Sequence, residues 1–337
     1  MDYRTLGRSG LKVSPICLGT MMFGGRTEEK DAVKIIDHAR DNGINFIDTA
    51  DQYNVGVSEE IVGRAIKKKR DYWVLATKLA NPMGKSVNRK GLSRKYVYEA
   101  AHASLKRLKA DYVDIYYLHK EDHDTPLEET IGAMADLMRA GKVRYIGVSN
   151  HRSWRVAEIV RICRDLGITP PVVSQPYYNA MNRMPEVEHL PACKHFGLGV
   201  FPYSPMARGV LSGKYLPGKP PEKGTRAEAK DPRMMQTEWR PESLEIAQTI
   251  KAHAEKRGIT PGQFAVAWVL NNKLITGTIA GPRTFAQWTD YLGALDYTFT
   301  AEDEALVDSL VPAGHPSTPG YTDPAYPLEG RISRAGG

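Results

Sequence analysis

Residues 113–150 read VDIYYLHKEDHDTPLEETIGAMADLMRAGKVRYIGVSN. The segment opens on a short run of β-branched and aromatic residues, Val113–Leu118, crosses a polar loop, and takes up helical periodicity over Leu127–Ala140. Gly141 marks the helix stop, and a second apolar run follows at Tyr145–Val148. Strand, helix and strand in that order make a crossover unit, so the two strands are expected to be parallel.

The same unit recurs on both sides. Candidate strands lie at Ile16–Gly19, Asn45–Asp48, Trp73–Thr77, Val172–Gln175, Gly199–Tyr203 and Thr276–Ala280, which with the two above makes eight. Helical periodicity separates them, as over Ala32–Arg40, Arg94–Leu108 and Trp154–Leu166, with Gly43 and Gly167 as further stops. Such alternation predicts an α/β protein with a parallel sheet. Eight units in 337 residues favour closure into a (β/α)8 TIM barrel over an open doubly wound sheet. No G-x-G-x-x-G occurs after the first strand or elsewhere, so a Rossmann dinucleotide site is unsupported. Ahead of the barrel, Gly7–Gly10 turns the chain between Tyr3–Leu6 and Leu11–Val13, an expected N-terminal β-hairpin. Residues 1–337 read as one domain with long loops at the C-terminal face. Two stretches break the rhythm. Leu216–Glu242 is Pro-rich and charged, and a loop of that length in a compact domain usually serves function. Pro312–Gly337 mostly lacks periodicity and reads as a tail over or beside the barrel mouth.

Hydrophobic residues make up 42% and charged residues 25%, a globular composition, and a chain this long buries a core without staples. Cys17, Cys163 and Cys193 form neither a metal spacing nor a paired framework, so a reducing, cytoplasmic setting is expected. The start, MDYRTLGRSG, lacks the apolar stretch of a signal peptide, and no run approaches a membrane span. The net charge of +7 raises the question of nucleic acid. The basic residues are spread along the chain, however, and the one dense run, Lys67–Arg70, falls at an expected helix end, where it complements the dipole in water. Neither nucleic acid nor membrane is an expected partner. A mild positive field does suit a polyanionic cofactor.

Chemistry in a barrel gathers at the C-terminal ends of the strands. Those ends carry Asp48, with Tyr53 in the loop beyond it, then Lys78, His119, Ser149 with Asn150, Gln175, and Tyr203 with Ser204. An acid, a phenol, a lysine and an imidazole thus face one mouth from three adjacent strands. A phenol titrates near ~10, and an adjacent ammonium should lower that value. The carboxylate would keep the lysine charged, and the histidine would polarise or orient a carbonyl oxygen. Together they read as general acid catalysis with oxyanion stabilisation, protonating a carbonyl oxygen as hydride arrives at its carbon. Singly they say less. Asp48 reads equally well as a helix cap or loop residue; the reading of His119 as a structural histidine is weaker, and that of Lys78 as the Schiff-base lysine of a barrel aldolase weaker still. The run HKEDHD, residues 119–124, invites a metal reading. But His119 ends a strand, shares no helical face with His123, and finds no matching histidine or cysteine pair, so no metal is expected.

Over nearly its whole length the sequence also resembles the aldo-keto reductase superfamily. The segments that carry the resemblance are GINFIDTADQY, VLATK, GLSRKYVYEAAHASLKRLKADYVDIYYLH, GKVRYIGVSN, QPYYN, YSPMARGVLSGKY and IAGPRTFAQ. The family's catalytic tetrad falls on Asp48, Tyr53, Lys78 and His119 without departure. The resemblance implies reversible, NADPH-dependent reduction of an aldehyde or ketone, with NADP(H) extended across the barrel mouth. Gly19, Thr20 and Asp48 would stand beside it. Its carboxamide would meet Ser149, Asn150 and Gln175, and its nicotinamide ring would stack on Tyr203. The pyrophosphate would lie near Ser204, Met206, Arg208 and Gly209, and the adenosine end near Gly281, Arg283, Gln287 and Asp290. Arg283 is the implied partner of a 2′-phosphate, and the loop after strand seven an implied lid. Ala280 and Tyr291 depart from the pattern, since relatives carry proline and asparagine there. The expected partner is a small carbonyl or alcohol. Candidate contacts to it are Met22, Phe23, Tyr53, Asn81, His119, Lys120 and part of the tail from His315 to Tyr326, a partly apolar set. The stretch GLSRKYVYEAAHASLKRL is similar to the branch that holds bacterial glyceraldehyde-type reductases and potassium-channel β-subunits. That branch adds the alternative of a cofactor-binding partner subunit with little turnover, and it admits a homo-oligomer.

Overall fold

In the computed structural model, which describes residues 1–328 and 330, each expected strand forms. The hairpin strands β1 (Arg4–Thr5) and β2 (Lys12–Val13) pair antiparallel. The other strands described are β3 (Ile16–Gly19), β4 (Phe46–Asp48), β5 (Val74–Leu79), β6 (Val113–Leu118), β7 (Val143–Ser149), β8 (Val173–Gln175), β9 (Gly199–Val200) and β10 (Thr278–Ala280). They run parallel in the order β10-β3-β4-β5-β6-β7-β8-β9. The seam between β9 and β10 closes through Thr276 N–H to Val200 O at 3.0 Å and Ile279 N–H to Pro202 O at 3.0 Å. The sheet is therefore a (β/α)8 barrel. β9 ends three residues before the expected Tyr203 because Pro202 has no N–H to continue the ladder. Tyr203 rejoins the wall by donating its own N–H to Pro176 O at 3.0 Å.

Side chains alternate across each strand, and that parity builds both core and site. Cys17, Phe46, Val74, Ala76, Ile115, Tyr117, Val173, Phe201 and Ile279 fill the barrel, and Leu6 and Val13 of the hairpin close its N-terminal end. The opposite parity, Ile16, Leu18, Ile47, Leu75, Tyr116, Leu118, Ile146 and Val148, packs beneath the helices. Two residues beyond Phe46, Ala76, Tyr117, Val173 and Phe201, the inward parity reaches Asp48, Lys78, His119, Gln175 and Tyr203. Gly147 is an inward position where only glycine fits, since a Cβ there would lie 2.4 Å from the Tyr117 ring.

Between the strands the crossovers are helical, as over Arg94–Leu108, Leu127–Arg139 and Ser153–Asp165. Gly141 ends one of them in the left-handed region, at φ 69°. Past the helix Val57–Ile66 the basic run turns into a 3-10 segment, Lys67–Tyr72. There Arg70 leaves the solvated role expected of it. Its guanidinium donates to Asp114 Oδ2 at 2.8 Å and covers the Tyr112 ring at 4.3 Å, anchoring the segment to β6. The long loop after β9 contains a short helix, Pro232–Thr237, capped by the Asp231 carboxylate. No helix among the described residues is long and apolar enough to cross a membrane.

Candidate active site

The C-terminal mouth of the barrel opens into a cavity of about 520 Å³. On its floor lies a buried network. Lys78 Nζ donates to Asp48 Oδ2, to Thr49 O at 2.8 Å and to Tyr53 OH at 3.1 Å. Gln175 Nε2 donates to the other oxygen, Asp48 Oδ1, at 2.8 Å. The three hydrogens of the ammonium are thus all engaged. Burial pulls the Lys78 ammonium down, but Asp48 and Tyr53 outweigh it and hold it above its ordinary value. Burial likewise pushes the Tyr53 phenol up, and Lys78 pulls it back without overcoming that. The net direction reverses the expectation drawn from the lysine alone, because the site is dry as well as charged.

His119 completes the floor. Its ring meets Tyr53 edge-on, with centroids 6.0 Å apart. Burial, then Lys78 and Lys120, hold its imidazole well below the ordinary value, so the ring is neutral. Asn81 Nδ2 lies 3.2 Å from His119 Nδ1. An amide nitrogen only donates, so this contact assigns the ring proton to Nε2, a second hydrogen-bond donor beside the phenol.

One flank carries a second network. Tyr203 OH donates to Asn150 Oδ1 at 2.8 Å. Asn150 Nδ2 donates to His119 O at 2.9 Å and to Ser149 Oγ at 3.0 Å, and Ser149 Oγ donates to Gln175 O at 2.9 Å. The Tyr203 ring is itself backed by Tyr177, with centroids 5.7 Å apart and planes 28° off parallel.

The far end of the cavity is cationic. Arg26, Arg208, Lys214, Arg226 and Arg283 all line it. Burial, then Arg283, Arg226 and Arg26, pull the Lys214 ammonium down, and burial together with Arg208 and Arg26 does the same to Arg226. Like charges held this close would be relieved by an anionic ligand. The loop after β9 arches over it. Gly224 O of that loop accepts from Arg283 Nη1 at 3.0 Å and from Arg26 Nη2 at 3.2 Å.

Most of the residues singled out in the sequence meet here. Gly19, Thr20, Met22, Asp48, Tyr53, Asn81, His119, Lys120, Ser149, Asn150, Gln175, Tyr203, Ser204, Met206, Arg208, Gly209, Gly281, Arg283 and Gln287 line the cavity, with Lys78 directly beneath. Two do not. Phe23 is fully buried in the outer core, because the turn at Met22–Thr27 directs its ring inward. Asp290 accepts from Thr260 Oγ1 at 2.7 Å on the neighbouring helix. On its own helix, Phe285–Gly293, the cavity face is instead Gln287 and Tyr291, four residues apart. From the tail, Ala325 and Tyr326 reach the cavity, whereas His315 O accepts from Arg183 N–H at the barrel side. Residues 329 and 331–337 of the expected tail lie outside the described residues. Sequence reasoning missed Arg26, Gln52, Lys214, Thr225, Arg226 and Arg233. The last three lie in the long loop, where the charge of the two arginines and the loop's length were the available signal.

Residues 15–312 match the family model described as Aldo/keto reductase family. The chain is 35% identical over 331 residues to the uncharacterized oxidoreductase YrpG of Bacillus subtilis (strain 168), covering 95% of this chain and 98% of that protein. It is 36% identical over 301 residues to a probable voltage-gated potassium channel subunit beta of Arabidopsis thaliana, and equally to one of Oryza sativa subsp. japonica, covering 88% of this chain and 92% of each relative. The chain belongs to the aldo/keto reductase family of oxidoreductases.

Proposed function

We propose that the protein reduces an aldehyde or ketone to the alcohol with NADPH, reversibly, with Tyr53 delivering the proton. One observation carries this reading. Lys78 donates to the Tyr53 oxygen at 3.1 Å, so the phenol's own hydrogen is left to be donated into the cavity. A carbonyl oxygen there would receive it, with His119 Nε2–H as a second donor. The raised Tyr53 value keeps the acid protonated through neutral pH. In the reverse direction Tyr53, with Lys78 beside it, would take the alcohol's proton.

The donor set fits the dinucleotide that the family implies. Ser149, Asn150 and Gln175 would hold its carboxamide, Tyr203 offers a flat face braced by Tyr177, and Arg26, Arg208, Lys214, Arg226 and Arg283 suit its phosphates. Bound there, it would supply the hydride. A Schiff-base role for Lys78 is disfavoured, since an ammonium held charged with all three hydrogens engaged has no lone pair to attack a carbonyl. The two potassium-channel relatives favour a second reading, a cofactor-binding subunit with little turnover. A cytoplasmic setting accords with the three free, buried cysteines.

Loss of NADPH absorbance on adding reactive aldehydes tests the proposal. Tyr53→Phe should cut kcat/KM by about 10²–10⁴-fold while NADPH still binds. A near-full rate in that variant sinks the assignment, and NADPH binding without turnover in the native protein favours the subunit reading.

A further inference from the structure

The cavity carries positive charge at two separate ends. Five cations gather where the loops after β3, β9 and β10 meet, and the reading above gives these to the cofactor phosphates. Lys120 stands apart from them. It follows β6, which lies four strands from β10 in a closed ring of eight, and so sits on the opposite wall. It lines the cavity directly after His119, half-buried, and its charge reaches the His119 ring.

Nothing on the described chain neutralises it. The carboxylates beside it in sequence are engaged elsewhere. Glu121 accepts from Arg152 N–H at 2.7 Å and pairs with the Arg152 guanidinium, with Arg155 Nε 3.8 Å away. Asp122 accepts from Leu92 N–H at 2.7 Å, Thr125 Oγ1 at 2.7 Å and Asp124 N–H at 3.0 Å. The carboxylate in the cavity wall, Asp48, is paired with Lys78. Arg233, another cation of the wall, is bound twice by Asp323, at 2.9 and 2.5 Å. An ammonium drawn partly out of water without a counter-charge favours a ligand that brings one.

Resting on the reductase reading, we propose that the substrate is a carbonyl compound bearing an anionic group, a carboxylate or a phosphate. Lys120 Nζ binds that group while Tyr53 and His119 hold the carbonyl oxygen. Adjacent residues carry the two contacts, so a small molecule spans them.

Matched pairs test this: para-carboxybenzaldehyde against para-nitrobenzaldehyde, and glycolaldehyde phosphate against glycolaldehyde. The full-length protein should favour the anionic member of a pair by about tenfold or more in kcat/KM. Lys120→Met should erase that preference and Lys120→Arg should restore most of it. The pair with the larger preference tells carboxylate from phosphate. A native preference below about twofold, or one that survives Lys120→Met, overturns the proposal. If no aldehyde is turned over at all, the reductase reading falls, and binding then decides the inference. By titration calorimetry, para-(hydroxymethyl)benzoate should bind about tenfold or more tighter than benzyl alcohol, and Lys120→Met should remove the difference, whereas equal affinities overturn it.

Discussion

Tyr53 and Lys78 are set by what lies behind them as much as by each other. Two residues before Tyr53, Asp51 is fully buried, and its N–H donates to Lys78 O at 3.1 Å. Burial, with Glu59 adding a like charge, pushes its carboxyl up to about 7. In the unfolded chain the same group titrates near ~3.9. Between those values the folded state holds the extra proton, so stability falls as pH rises from the lower to the higher value. Asp51→Asn should remove that slope and raise stability at neutral pH and above by up to ~4 kcal/mol. Denaturant unfolding at pH values either side of the transition measures it, and an unchanged slope would show that the ionised carboxylate is not disfavoured. No such tuning is legible in the sequence. The motif NFIDTADQY displays three ionisable groups at one strand end, Asp48, Asp51 and Tyr53, but which of them is dry depends on the helix Val57–Ile66 and on Glu59 closing over them.

At the level of elements, the strands supply fixed positions and the loops decide which side chains use them. Strand parity was readable, because period-two alternation under helices leaves each inward residue one outcome. That is why Asp48, Lys78, His119 and Gln175 could be placed from sequence. Loop geometry was not readable: Phe23, a loop candidate, and Asp290, implied by the family resemblance, are expected at the mouth, and backbone turns and a neighbouring threonine carry them away. The loop after β9 shows both sides. Its length and proline content marked it as functional, yet nothing local showed that Gly224 O would be held from two walls by Arg26 and Arg283. The clamp engages Arg283, the implied 2′-phosphate partner, with the loop backbone. If that arginine exchanges the carbonyl for a phosphate when the cofactor binds, its contribution is specific to NADPH. Arg283→Met should then weaken NADPH binding by about tenfold and NADH binding by no more than about twofold, measured by fluorescence titration. Equal losses for both would place the arginine's role in holding the loop alone.

On the scale of the whole molecule, the barrel is closed below by the N-terminal hairpin and partly covered above by the C-terminal segment. That segment has no period of its own, so its path depends on distant partners that no local pattern announces. Ser317 N–H donates to Met181 O at 2.8 Å, and its hydroxyl meets Ser243 Oγ at 2.8 Å. Tyr321 is covered by the Arg240 guanidinium at 3.8 Å, Asp323 takes Arg233, and Pro327 O accepts from Arg152 at 3.0 Å. These ties bring Ala325 and Tyr326 over the cavity. They divide the segment into an anchor through Thr318, packed on the barrel's side, and a strap beyond it that covers the mouth. The described contacts of the strap include one partly buried ion pair, Arg233–Asp323, hydrogen bonds from Arg152 to Pro327 O and from Tyr321 OH to Gln236 O, and one ring face, each of modest worth. The core of the barrel does not depend on them. A chain ending after Thr318 should therefore fold cooperatively, with a Tm lower by no more than about 5 °C. On the reductase reading it should also lose part of the wall that would confine the carbonyl compound, so KM for the carbonyl rises several-fold while affinity for NADPH, which that reading assigns mainly to strand ends and the β9 and β10 loops, falls less. Circular dichroism melts and paired KM and cofactor titrations separate the two effects. A truncated chain that unfolds without cooperativity would make the strap part of the folding unit, and one with native KM would leave it outside the site.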